Sequence, residues 1–184
     1  MVPYKFSDKV WPTSTGYTYP NIWAVEKTTG PDRLIIAPSS DQVGLMIELA
    51  SVLPEPFGIL YVLLVSRCDN APGRYQSPYP IDRSELESFL SQFKDYFEND
   101  GRHHIWIMSL PLNATLVYDN HNVIYAYGPI QEYTHSLVRR NFKRGEVKFP
   151  SPHTHEYNQE FDEREKEIFN YWDWLQYPLH ALDD

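Results

Sequence analysis

The chain has 184 residues, enough for one domain with a sizeable core, and its 42% apolar and 22% charged residues are ordinary for a globular protein. Its net charge of −9 is spread over both halves, so no basic half is available for a phosphate backbone, which argues against broad nucleic-acid binding. The single cysteine, Cys68, excludes a disulfide framework or a Cys-x-x-Cys metal pattern within the chain.

Residues 1–20 are rich in Pro, Thr and Tyr and read as an irregular N-terminal arm, with 21–184 expected as a single domain. "NIWAVEKTT" and "RLIIAP" read as two strands about the turn signal "GPD". Ser39 or Ser40 is expected to cap a helix from Asp41 to about Leu53, carrying Val43, Met46, Ile47, Ala50 and Leu53 at helical spacing. "FGILYVLLVS" is a continuous β-prone run, as expected of a central strand covered on both faces. Its apolar core is too short to cross a bilayer. The N-terminus lacks the apolar stretch of a signal peptide, so a cytoplasmic protein with no membrane association is expected.

"CDNAPGRYQSPYPI", 68–81, reads as a long loop, of a kind that often binds something; Arg74, Tyr75 and Tyr79 are its candidate ligand or partner contacts. The clearest helix spans 82–98, with Asp82 as N-cap, Glu85 completing a box-like cap, and Leu86, Phe89, Leu90, Phe93 and Phe97 on one stripe. "HHIWIMSL" is a strand, and "ATLVYD" with "NVIYAYG" makes a hairpin across Asn120-His121. A shorter helix covers 131–142, a last strand 146–149, and a last helix about Asp162 to Gln176. Helices do not strictly alternate with strands, so the expected class is α+β: a largely antiparallel or mixed sheet covered by about four helices.

Three stretches carry candidate chemistry. "RRNFKRGEVK" concentrates Arg139, Arg140, Lys143, Arg144 and Lys148, which read first as cations satisfying a helix C-terminus and second as a candidate anion site. "IFNYWDWLQYPL" places Trp172 and Trp174 on different sides of a helix, more aromatic surface than one docking face covers; this offers a partner surface or a homodimer contact.

The third is "GEVKFPSPHTHEYNQE". His153 and His155 lie two apart, so on a strand both rings share a face, and Glu160 follows. Imidazole plus carboxylate suits Zn, Fe or Mn. The spacing His-x-His-x4-Glu resembles the first metal motif of the cupin family, which implies His153, His155 and Glu160 as ligands. The resemblance ends there: the flanking glycines are displaced or missing, and too little chain follows for a second motif. A further ligand is expected from His121 with Asp119, or from His103 and His104.

No phosphate-binding loop, nucleophile elbow, HExxH or EF-hand loop is present. Acidity, surplus Tyr and Trp and the missing catalytic signatures point first to a non-enzymatic protein-binding domain. One form would be an immunity or antitoxin-type inhibitor of a basic partner. A small metal-dependent enzyme built on the histidine stretch, and a homo-oligomeric structural protein, are the alternatives.

Overall fold

The computed structural model describes residues 3–8, 16–181 and 183. Strands β1 (Phe6–Ser7), β2 (Ile22–Glu26) and β3 (Arg33–Ala37) lead into helix α1 (Gln42–Ser51). Strands β4 (Phe57–Leu63) and β5 (Gly73–Gln76) follow, then helices α2 (Arg83–Gln92) and α3 (Lys94–Asn99). Strands β6 (His103–Ser109), β7 (Ala114–Tyr118) and β8 (Ile124–Tyr127) form a meander before helix α4 (Ile130–Arg139). The chain finishes with β9 (Lys143–Arg144), β10 (Thr154–His155), a 3-10 turn at Gln159–Phe161, helix α5 (Asp162–Phe169) and β11 (Leu175–Tyr177).

Nine strands form one sheet in the order β11-β5-β4-β6-β7-β8-β3-β2-β9, antiparallel throughout except for the β2–β9 pair, and β1 pairs with β10 in a separate two-stranded ribbon. The α+β expectation is met, with five α-helices among the described residues.

The period-two alternation of a pleated strand sorts the core. Phe57, Ile59, Tyr61 and Leu63 of β4 join Ile105, Ile107, Leu116 and Tyr118 in the main cluster, which the helices contribute to through Leu45, Leu49, Leu86, Phe89, Phe97 and Leu137. The other face of the sheet carries a smaller cluster. Phe6 and Tyr19 of the N-terminal arm pack there with Ile35, Ala37 and Val123. All seven residues of β4 are buried, as its unbroken apolar run anticipates.

Several sequence expectations are corrected. The arm contains β1, because Phe6 finds a partner in His155 across the ribbon. Helix α1 is capped by neither Ser39 nor Ser40: Asp41 is its N-cap, left-handed at φ 57°, and the Val43 amide donates to the Glu98 carboxylate, 2.9 Å away. The 82–98 helix is interrupted at Phe93 into α2 and α3, although its Asp82 cap, accepting from the Glu85 amide, is as expected. The 68–81 loop contains β5, and the 146–149 strand is absent, replaced by β9 and β10 on either side. The last helix stops at Phe169, and "LQY" becomes the edge strand β11 against β5, an outcome set by a long-range pairing that local periodicity does not encode.

A buried ionic knot ties the C-terminal half to the sheet. Arg102 is fully buried; its guanidinium donates to Asp100 (Nε to Oδ1, 2.7 Å), to Glu165 (Nη1 to Oε2, 2.6 Å) and to the Asn158 carbonyl (Nη2, 2.8 Å). Asp100 in turn accepts from the Asn158 amide at 2.8 Å, and the Gly101 amide donates to the Glu156 carbonyl at 2.8 Å. The segment just after β10 is thus fixed at several points.

Candidate metal centre

The hairpin turn between β7 and β8 supplies the first residue of the site. Asp119 folds it: its amide donates to the Val123 carbonyl, while Oδ1 accepts from the amides of His121 and Val123, both at 2.9 Å. Asn122 takes a left-handed conformation, φ 60°, which Asn tolerates better than most residues. Lys5, buried beside β1, donates from Nζ to the Asp119 carbonyl at 3.0 Å and lies 3.8 Å from the Tyr118 ring centroid. The turn therefore presents His121 in one orientation.

The other two histidines arrive on the β1–β10 ribbon. His155 pairs with Phe6 and His153 precedes the strand. The Phe6 ring underlies the site, 5.9, 6.5 and 6.3 Å from the rings of His121, His153 and His155. The three imidazoles lie 4.6–5.2 Å apart, centroid to centroid. One ring nitrogen from each falls within 4.8 Å of the others, and all three residues are half-buried.

The hydrogen bonds assign protons. His153 Nδ1 lies 3.0 Å from the Pro150 carbonyl, which only accepts, so Nδ1 carries the hydrogen. His121 Nδ1 lies 3.1 Å from Asp119 Oδ2, and a carboxylate likewise accepts. When neutral, both rings therefore have a bare lone pair at Nε2, and these two nitrogens face each other at 3.2 Å. Two lone pairs in that position repel unless a positive centre lies between them. Metal–nitrogen bonds of about 2.0–2.1 Å in a tetrahedron place ligand nitrogens about 3.3 Å apart. His155 adds a buried Nδ1 with no hydrogen-bond partner. Burial holds His155 near pKa 4, helped by its two neighbouring imidazoles and opposed by Asp119, so it is a neutral donor at ordinary pH.

The site opens onto a cavity of about 450 Å³. Besides the three histidines, its walls include Leu64, Val65, Tyr157, Leu179, His180 and Asp183. The Asp183 carboxylate is fully engaged, in a bidentate pair with Arg74 (2.8 and 2.7 Å) and with the His180 amide (2.6 Å).

The structure thus brings together three of the four expected ligands, His121, His153 and His155. Glu160 sits exposed in the 3-10 turn and is not in the group. Asp119 stands behind His121 as its hydrogen-bond acceptor. His103 is elsewhere, a core residue against Tyr96, at 4.4 Å between ring centroids, kept neutral chiefly by burial; His104 is outside the group of three but lies beside it, bonding Asn120 and within electrostatic reach of Asp119 and His121. Sequence reading missed the cavity, whose far wall comes from the last few residues. It also missed the Pro150 carbonyl, though the Asp-x-His-x-Val turn was a visible signal for the Asp119 contacts.

The remaining candidates are placed as follows. Arg74 is engaged by Asp183, Tyr75 is buried and bonds the Ala71 carbonyl, and Tyr79 is exposed and donates to Glu85 at 2.9 Å. Trp172 stacks on Phe89 at 4.6 Å and donates to Glu85, while Trp174 donates to the Ile168 carbonyl. Arg139 and Arg140 reach Glu48, and Arg140 also reaches Asp41. Lys143 and Arg144 form the exposed edge strand β9 beside β2, with the Arg144 guanidinium 5.7 Å from the Trp23 ring centroid. Cys68 lies in a loop, its thiol pushed up by burial and by Glu165 and Asp162, which argues against a nucleophilic thiolate. Among the described residues no helix is long and apolar enough to cross a membrane.

Comparison with protein-family models, with curated proteins and with solved structures finds no match.

Proposed function

We propose that this chain binds one transition-metal ion, of the zinc type, through His121, His153 and His155. The observation that carries the reading is the face-to-face approach of the His121 and His153 Nε2 atoms, both bare when the rings are neutral because each Nδ1 faces an acceptor. A cation relieves that arrangement, and a ring nitrogen of His155 completes a set of three nitrogen donors. Neutral imidazoles suit Zn, Fe or Cu better than Mg or Ca, which favour oxygen.

Three protein ligands beside a cavity is the layout of a working rather than a closed structural site. A metal so held supplies Lewis acidity: it polarises a bound carbonyl or lowers the pKa of bound water. The protein's part is to orient the ligands through Asp119 and Pro150, and to shape the cavity. The protein-binding reading to which the sequence points first loses part of its motivation, since Trp172 and Trp174 are engaged in internal packing and hydrogen bonds.

The test is elemental analysis of untagged protein with and without zinc dialysis, beside the triple variant His121→Ala/His153→Ala/His155→Ala. About one ion per wild-type chain, and none in the variant, is expected. Zinc at a hundredfold excess over its Kd also adds about 2.7 kcal/mol of stability. A wild-type chain that stays empty and melts at the same temperature with zinc sinks the reading. The histidine pair would then share a proton instead.

A further inference from the structure

We infer that the cavity beside the three histidines takes a small carboxylic acid with a short apolar chain, its carboxylate at the metal's open position. This rests on the metal reading above and adds the class of ligand.

Charge decides one end. A divalent ion on three neutral imidazoles stays dipositive, and the Asp119 carboxylate behind His121 offsets only half of that. The other carboxylate in the wall, Asp183, is matched by the bidentate Arg74 pair and does not repel an anion. An anion is therefore favoured at the ion. Among the described residues no lysine or arginine lines the cavity, so a phosphate dianion lacks the cationic donors that hold it elsewhere, whereas a monoanionic carboxylate is matched by the metal.

Apolar surface decides the other end. Leu64, Val65 and Leu179 contribute aliphatic wall next to the histidines, and a volume of about 450 Å³ lies in the range of small-molecule sites. A short alkyl chain attached to the carboxylate buries itself there. Full burial gains about fourfold in affinity per methylene.

The experiment uses the full chain loaded with cobalt(II), whose visible spectrum reports its coordination. Cobalt retention is measured first and by itself. Acetate, butyrate, hexanoate, hexanamide and inorganic phosphate are then titrated. The expected result is a spectral change with the acids, tightening from acetate to hexanoate by about tenfold to a hundredfold, with hexanamide and phosphate weaker than hexanoate. Leu179→Ser, on an exposed wall residue, is expected to flatten the chain-length gain. Hexanamide binding as tightly as hexanoate, phosphate binding more tightly, or an affinity independent of chain length would each overturn the inference. Such results, on a protein that holds cobalt, leave the metal reading standing. Failure to retain cobalt removes both.

Discussion

Replacing Asp119 by Asn tests the site through a residue that touches no metal. Asp119 Oδ1 accepts from two backbone amides, and Oδ2 faces His121 Nδ1 at 3.1 Å. In Asn the retained oxygen must stay on the two amides, because turning the side chain over would set its NH2 group against two N–H donors. The new NH2 then points at His121 Nδ1. A donor there forces Nδ1 to accept, which moves the imidazole hydrogen to Nε2, the atom proposed to bind metal. Loss of such a second-layer partner costs roughly tenfold to a hundredfold in metal affinity, or about 1.4–2.7 kcal/mol. The turn itself keeps its amide contacts, so the metal-free chain should melt close to wild type. Competition with a chromophoric chelator at neutral pH measures the affinity, and thermal unfolding of the metal-free forms measures the fold. Asp119→Asn with wild-type zinc affinity refutes the tautomer argument. Asp119→Ala is the contrasting case: it orphans both amides and is expected to lower the stability of the metal-free chain as well, by about 1–3 kcal/mol per lost partner.

Other perturbations act on the frame that carries the site. Arg102→Met leaves Asp100 and Glu165 buried without their counter-charge, and chemical denaturation should show a loss of about 3–5 kcal/mol; a loss under 1 kcal/mol would mean the knot is dispensable. Gly101→Ala would place a Cβ 2.7 Å from the Lys5 carbonyl and 3.1 Å from His155 Cβ, so both zinc affinity and melting temperature should fall, and an unchanged affinity would separate the ribbon from the site. Lys5 is held down to about 7, chiefly by burial and against the pull of Asp119, whereas an unfolded lysine titrates near 10.5. Between those values the unfolded chain binds the extra proton, so stability rises with pH across the window, by about 5 kcal/mol at most. Lys5→Met should abolish that rise in urea unfolding at pH 7 and pH 10, and identical pH slopes for the two proteins would show that Lys5 does not titrate there.

Elements with a local signal were legible in the chain alone. The alternation in β6, the unbroken apolar run of β4, the Asp82 cap and the Asn-rich turn of the β7–β8 hairpin are each written in a few neighbouring residues, because side-chain period and turn chemistry are properties of short segments. His153 and His155 were recognisable as a pair for the same reason. Tertiary structure alone decided what stood beside them. His121 is 32 residues away from His153, and Lys5 lies 114 residues from the turn it braces. The choice of His121 over Glu160 followed from the β1–β10 ribbon landing against the hairpin, and the conversion of "LQY" from expected helix to edge strand followed from the open side of β5. Those outcomes depend on which distant surfaces are left to be covered once the sheet has formed, and no spacing within a single segment records that.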